Sequence, residues 1–260
     1  MWKRNEKRTD ARLAGPMIHE VKELPEVIAI DECKGDTDEG KYQVLIADGR
    51  TGEPLDILSD RTAATIKPYL REKGAEVEIV VMDMSPSFKS AVQQALGSPI
   101  IIADRFHFCR YIYWALDLVR RNVQKDFHDY DRRKCKRMKH VFHKSPATLS
   151  EKQYWYLEWY LNLSHELTDA YQLKEMFRFW FDQAKQEQEN PGQGIKEGLY
   201  AFYQEVEASG LAELKKAAQT LKNWQTEILN SFTFGYTNEP IEGLNNQTKV
   251  MKRNAFGFQR

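Results

Sequence analysis

Cysteine, net charge and long apolar runs are all scarce in this chain of 260 residues. Thiols occur only at Cys33, Cys109 and Cys135, an odd number, far apart and without a Cys-x-x-Cys pair. That excludes a disulfide framework and the usual zinc-ribbon spacing, and it fits a reducing compartment. The tempting group Cys135, His140 and His143 lies within DRRKCKRMKHVFHK, whose positive charge opposes a bound dication, so no metal is expected there. No stretch approaches the ~18 consecutive apolar residues of a membrane span. The opening MWKRNEKRTD is basic with no apolar run behind it, so neither anchor nor secretion signal is expected, and the predicted location is cytoplasmic with no membrane partner. Lys and Arg together number 38, as do Asp and Glu. Zero net charge argues against a wholly basic nucleic-acid module but allows charge to be separated along the chain. Neither G-x-G-x-x-G nor a P-loop is present, which argues against a nucleotide-binding α/β enzyme.

What is present is ordinary globular chemistry: 42% apolar residues and a mean hydropathy of −0.65, enough for a core in one large domain or two modest ones. VIAID (Val27 to Asp31), YQVLIAD (Tyr42 to Asp48) and LDIL (Leu55 to Leu58) are short apolar runs bounded by Gly and acidic residues, and they predict a strand meander. RTAATIKPYLREKG has helix-forming composition and ends on Gly74, after which VEIVVMD (Val77 to Asp83) is the nearly unbroken apolar run of a strand buried on both faces. In SPSFKSAVQQALG, Ser85 is placed to cap and Pro86 suits the first turn, while Phe88, Ala91, Val92, Ala95 and Leu96 repeat on one helical face. PIIIAD (Pro99 to Asp104) supplies a fifth strand. The order β-β-β-α-β-α-β predicts an α/β or α+β class, a mixed sheet with helices packed on it.

Beyond Asp104 the strand signals stop, and residues 105–232 are expected to be mostly helical. Ile112, Leu116, Val119 and Val123 mark one stripe, and Tyr156, Tyr160, Leu163, Leu167 and Ala170 mark another. Trp155, Trp159 and Trp180 are expected in the bundle core rather than on a surface for stacking bases. ENPGQG (Glu189 to Gly194) predicts a surface loop, and a final helix is expected to begin near NEPIEGLNN. Charge is separated along this plan. Arg120 to Lys144 carries ten Lys or Arg against three Asp, and after Glu242 come Lys249, Lys252, Arg253 and Arg260 with no acid. Both segments are expected to meet phosphate.

Asp31, Asp83 and Asp104 each follow an apolar run, at the predicted C-terminal end of a strand. A carboxylate there is rigidly aimed yet reachable, and two on neighbouring strands can hold hard cations such as Mg²⁺. For Asp104 capping is an equal alternative, because the helix RFHFCRYIYWAL follows directly. Ser85 already supplies a cap after Asp83, and Asp31 is followed by the polar ECKGDTDEGK. Glu32 alternates to the opposite face and is not expected to be a ligand. The final helix provides a third acid. With a start near Pro240, Ile241, Leu244 and Met251 turn toward the core, while Glu242, Asn245, Asn246, Lys249 and Arg253 share another face. A metal ligand beside phosphate donors is what nucleic-acid phosphoryl transfer requires.

The ordered set AIDECKGDTDEGKYQVLIAD, VVMDMSPSFKSAVQQAL, PIIIADRFHFCRYI and NEPIEGLNNQTKVMKRNAFGF resembles the DDE transposases of the ISL3 insertion-sequence family over essentially all of residues 27–260. The pairing of ADRFH with EGLNN and KRNAFGF is distinctive. The resemblance implies an α/β fold like ribonuclease H, a mixed sheet with flanking helices interrupted by a large α-helical insertion. For this chain it implies a basic N-terminal extension over residues 1–26, a catalytic core over 27–109 and 233–260, and a mostly helical insertion over 110–232. The family's acids fall on Asp31, Asp83 and Glu242, separated by 52 and 159 residues (83−31 and 242−83). By the resemblance these are the catalytic residues and the ligands of two Mg²⁺ ions, for which Mn²⁺ can substitute. The implied activity is metal-dependent cleavage and strand transfer of DNA at insertion-sequence ends, by a homo-oligomer acting on terminal inverted repeats and target DNA. Asp104, Arg105 and His107 match the family's D-R-F-H segment as supporting or DNA-contacting residues, and Asn245, Lys249, Lys252 and Arg253 match its C-terminal motif as phosphate contacts. Family members commonly carry a Cys-rich zinc-binding segment and a helix-turn-helix region ahead of the catalytic domain; with about 26 residues before the first strand, neither is expected in this chain. The alternative is a truncated, catalytically inert remnant that binds DNA or oligomerises without cleaving.

Overall fold

The computed structural model of the chain describes residues 21–37, 40–186, 193–239, 241 and 243. The predicted apolar runs form strands β1 (Val27–Thr37), β2 (Gly40–Asp48), β3 (Pro54–Leu58), β4 (Ile79–Met82) and β5 (Ile100–Ala103). They make one mixed sheet in the order β3-β2-β1-β4-β5. The meander β1-β2-β3 is antiparallel, and β4 and β5 add to β1 in parallel. Parallel neighbours need crossovers, and these are α1 (Ala63–Lys73), before β4, and α2 (Pro86–Leu96), between β4 and β5. Ser85 caps α2 as expected, its Oγ accepting from Phe88 N at 3.4 Å, with Pro86 in the first turn.

One boundary differs in a way that matters for the carboxylates. The sequence places Asp31 at the end of its strand, but β1 continues to Thr37. Pairing with β4 stops at Ile30↔Met82, while the antiparallel partner β2 goes on pairing, Asp31 facing Leu45. Asp31 therefore marks the end of the parallel half of the sheet and not the end of β1.

Strand alternation sends successive side chains to opposite faces. Ile28, Ile30, Val44, Ile46, Val80, Met82 and Ile101 join the main core with the helices. Val27, Ala29, Leu45, Ala47, Ile79, Val81 and Ile102 form a second cluster on the other face, which Ile241 covers. The expected inward turn of Ile241 is thus observed, while Leu244 and Met251 lie outside the described residues.

After β5 the chain is helical: α3 (Arg105–Val123), α4 (Asp129–Arg137), α5 (Lys139–His143), α6 (Glu151–Asn162), α7 (His165–Gln186), α8 (Gln193–Ser209), α9 (Ala212–Asn223) and α10 (Gln225–Phe234). Most of the predicted loop Glu189 to Gly194 lies outside the described residues, and α8 begins at Gln193. Phe108 of α3 packs edge-on against Phe181 of α7 and beside Phe232 of α10. Helix α10 also covers the sheet edge, where Asn230 Nδ2 donates to the Ile101 carbonyl at 2.9 Å and so satisfies an acceptor on the edge strand β5. Lys89 of α2 pairs with Glu227 of α10 at 2.5 Å beneath the Trp224 ring.

The tryptophan expectation is corrected in part. Trp180 is buried and donates to the Ile195 carbonyl at 2.8 Å, but Trp155 and Trp159 are 58% and 44% exposed. They stack on each other at 5.7 Å along α6, because the buried face of that helix is already taken by Leu157 and Tyr160. The stripe from Tyr156 to Ala170 is likewise broken, since the chain leaves α6 at Leu163 and enters α7 at His165, leaving Leu163 exposed. No helix among the described residues is long and apolar enough to cross a membrane.

Candidate active site

The parallel register aligns Ile30 with Met82 and Met82 with Ala103. One residue further along each strand stand Asp31, Asp83 and Asp104. By alternation these three share the face of Ala29, Val81 and Ile102, the face that Ile241 covers. The topology thus gathers into one row three carboxylates that are 73 positions apart at the extremes (104−31). Glu32 falls on the opposite face, as expected, and pairs with Arg61 at 2.8 Å.

Within the row the carboxylates are not equivalent. Asp104, 2% exposed, caps α3: its Oδ2 accepts from His107 N at 3.3 Å and lies 3.0 Å from His107 Nδ1. Its Oδ1 accepts from Asn238 N at 3.2 Å, so both oxygens are engaged. Asp83 Oδ1 lies 2.8 Å from the same His107 Nδ1. One ring nitrogen carries a single hydrogen and cannot aim it at both carboxylates. Asp83 Oδ1 is accordingly buried in ionic contact yet without an aligned hydrogen bond. Asp31 Oδ1 accepts from the backbone of Glu32 at 2.7 Å.

Asp83, Asp104 and His107 bring one possible ligand atom each to within 4.8 Å of one another. Burial opposes charge on His107, but the hydrogen bond to Asp104 and the negative charge of Asp83 and Asp104 outweigh it and hold its pKa up at about 9. At neutral pH the imidazolium is therefore the counterion between these two carboxylates. Carboxylates on neighbouring strands that end in one row are the oxygen donor set that suits a hard cation.

The remaining candidates are placed as follows. Arg105 turns into the protein, where its Nη2 donates to the Ser231 carbonyl at 2.5 Å and its guanidinium lies 4.9 Å from the centre of the Phe232 ring. Burial lowers its pKa. Glu242, Asn245, Lys249, Lys252 and Arg253 lie outside the described residues. Within the basic segment, Arg120 is corrected from a phosphate contact to a buried clamp. It is 3% exposed, its Nη2 pairs with Asp117 at 2.6 Å and its Nη1 donates to the Cys135 carbonyl at 3.1 Å.

Sequence reasoning missed Asn238. Buried, it donates from its backbone N to Asp104 and from Nδ2 to the Ile30 carbonyl at 3.4 Å, so it ties the start of the last segment to both β1 and β5. The only advance signal is an Asn directly ahead of Glu-Pro at a predicted helix start.

Comparison with known proteins identifies the family. The pattern of a family described as a transposase, the ISL3 group of DDE transposases, matches residues 28–260. The transposase for insertion sequence element IS1001 of Bordetella parapertussis is 26% identical over 227 residues, covering 84% of this chain and 54% of that protein. The transposase for insertion sequence element IS1557 of Mycobacterium tuberculosis is 24% identical, with the same 84% and 54% coverage. A shorter stretch of 69 residues is 35% identical to a Lactococcus lactis protein named ATP-dependent protease, covering 25% of this chain. The chain spans about half the length of the curated transposases it matches. With that family pattern matching residues 28–260, nearly the whole chain, the chain belongs to the ISL3 family of DDE transposases.

Proposed function

We propose that this chain carries the catalytic centre for metal-dependent cleavage and strand transfer of DNA at insertion-sequence ends. The observation that carries the reading is the row Asp31, Asp83 and Asp104 at the end of the parallel strands, with Asp83 Oδ1 buried and short of a donor. In this reading Asp31, Asp83 and Glu242 hold Mg²⁺ or Mn²⁺. When bound, such ions activate the attacking oxygen and neutralise charge on the leaving one.

The chain's own residues do the rest. Asp104 spends both oxygens on His107 and Asn238, so it acts as a positioning residue, while Asp83, whose Oδ1 lies beside His107, serves as a ligand. His107 holds Asp83 in aim from the first turn of α3. Asn238 pins the last segment to β1 and to Asp104, four positions before Glu242, the third ligand in this reading. Asn245, Lys249, Lys252 and Arg253 then hold the DNA backbone beside the reacting bond. The helices between β5 and that last segment correspond to the family's insertion, with residues 27–109 and 233–260 as the core. The working form is a homo-oligomer on DNA.

The test is nicking and strand transfer on DNA carrying the terminal inverted repeats that flank the gene. Activity is expected with Mg²⁺ or Mn²⁺, none with chelator, and a loss of at least ~100-fold in Asp83→Ala. Equal activity of Asp83→Ala and wild type overturns the assignment.

A further inference from the structure

Far from the carboxylates, α3 and α4 enclose a concavity of about 540 Å³ whose lining includes Arg121, Lys125, Arg132, Arg133 and Lys136, with no acidic side chain among the lining residues. From His107 to Arg121 is 14 positions along α3, roughly 21 Å at the helical rise, so this groove is separate from the site described above. We propose that it is a binding site for the phosphate backbone of duplex DNA. The proposal rests on the reading that the chain acts on DNA and adds where, away from the chemistry, the duplex is held.

Three observations support it. First, the groove is built rather than incidental. The buried Arg120 joins Asp117 on α3 to the Cys135 carbonyl on α4 and so fixes the two walls. Second, the charge is largely uncompensated. Asp129 pairs with Arg132 at 2.7 Å and its carbonyl accepts from Arg133 Nε at 3.3 Å, while Glu213 on α9 engages Asn122 and not a cation. Arg121, Lys125 and Lys136 are exposed, and Lys125 Nζ donates to the neutral Asn122 Oδ1 at 3.1 Å. Five cations around one concavity repel one another, and the C-terminal dipole of α3 accounts for one or two of them at most. Third, no aromatic side chain lines the groove. Binding of unpaired bases uses aromatic stacking platforms, whereas guanidinium, ammonium and amide donors converging in a concavity suit the phosphates of a duplex. Such contacts position DNA without reading its sequence.

The experiment measures binding of a 30-base-pair duplex of arbitrary sequence across a KCl series, with chelator present so that nothing is cut. Arg121→Ala/Lys125→Ala/Lys136→Ala is expected to bind at least ~10-fold more weakly, and its plot of log affinity against log salt to be shallower by about 2.7, or 0.9 for each lost phosphate contact. Arg121→Lys/Arg133→Lys keeps the charge and should keep the slope. If the triple variant melts lower than wild type, Lys125→Gln/Lys136→Gln replaces it, with an expected change of about 1.8. Unchanged affinity and slope overturn the proposal. So does absence of duplex binding by wild type, or an equal loss in Lys196→Ala/Lys216→Ala/Lys222→Ala, which removes the same charge elsewhere. Because the readout is binding alone, a chain that binds through the groove but never cuts sinks the catalytic reading and leaves this one standing. Cutting that depends on Asp83, with an unchanged slope in the triple variant, does the reverse.

Discussion

A single imidazole nitrogen stands within 3.0 Å of two carboxylates, and the division between them is the most informative detail of the site. Asp104 takes the aligned hydrogen bond and the cap, leaving Asp83 Oδ1 in ionic contact with the ring but without an aligned donor. Asp104→Asn should therefore lower cleavage by ~10–100-fold, the usual scale for a residue that orients a ligand. It should do so with a smaller loss than Asp83→Asn, in parallel single-turnover assays. A second histidine makes a pH prediction. Burial, and then the positive charge of Lys139, lower the pKa of His143 below its ordinary value of 6.5. Its neutral form thus contributes stability above the unfolded pKa, and that contribution is lost as pH falls through the folded one. Melting temperatures of wild type and His143→Gln should diverge in slope between about pH 7 and 5, wild type falling more steeply; parallel slopes would refute this. Burial also raises the thiol pKa of Cys109 and Cys135, so both should resist alkylation at neutral pH until the chain is unfolded. Asp83 and Asp104 were legible because they follow apolar runs that end as strands, and Asp31 because it follows such a run even though β1 continues past it. The dual role of His107 was not, since it exists only once β4 and β5 stand in register.

The elements were legible where periodicity and caps agree. Helix α2 has its Ser85 cap, Pro86 and apolar face in the expected places, and Phe88→Ala, which empties a site 1% exposed, should cost about 3–5 kcal/mol in chemical denaturation. The extent of β1 was not legible, because β2 prolongs it through a polar stretch that reads as a loop. Trp155 and Trp159 mislead for the opposite reason, being large apolar residues stacked at the surface of α6, where Trp159 Nε1 donates to Asp131 of α4 at 3.3 Å. At α7 and α8 close packing leaves a sharper test. A β-carbon at Gly198 would stand 2.7 Å from Trp180 Cδ1, so Gly198→Ala should destabilise by about 1–3 kcal/mol through overpacking. A neutral result would show that the α7–α8 contact yields easily.

Across the whole molecule, equal numbers of acids and bases conceal an arrangement. Carboxylates gather at the end of the parallel strands, while cations line the groove at the far end of α3. The segregation was visible as a charge-rich sequence segment. That Arg120 is a structural clamp within it was not, because its second partner, the Cys135 carbonyl, lies on another helix, α4. Asn238 is the corresponding device at the sheet, drawing the chain back to β1 and to Asp104 after α3–α10. The central claim is that the carboxylate row holds catalytic metal, and it is tested most directly by anomalous diffraction from crystals of the protein soaked in Mn²⁺. The account predicts a Mn²⁺ peak within bonding distance of Asp31 and Asp83 that is absent in Asp83→Ala. Saturating Mn²⁺ with no peak at these carboxylates would contradict it.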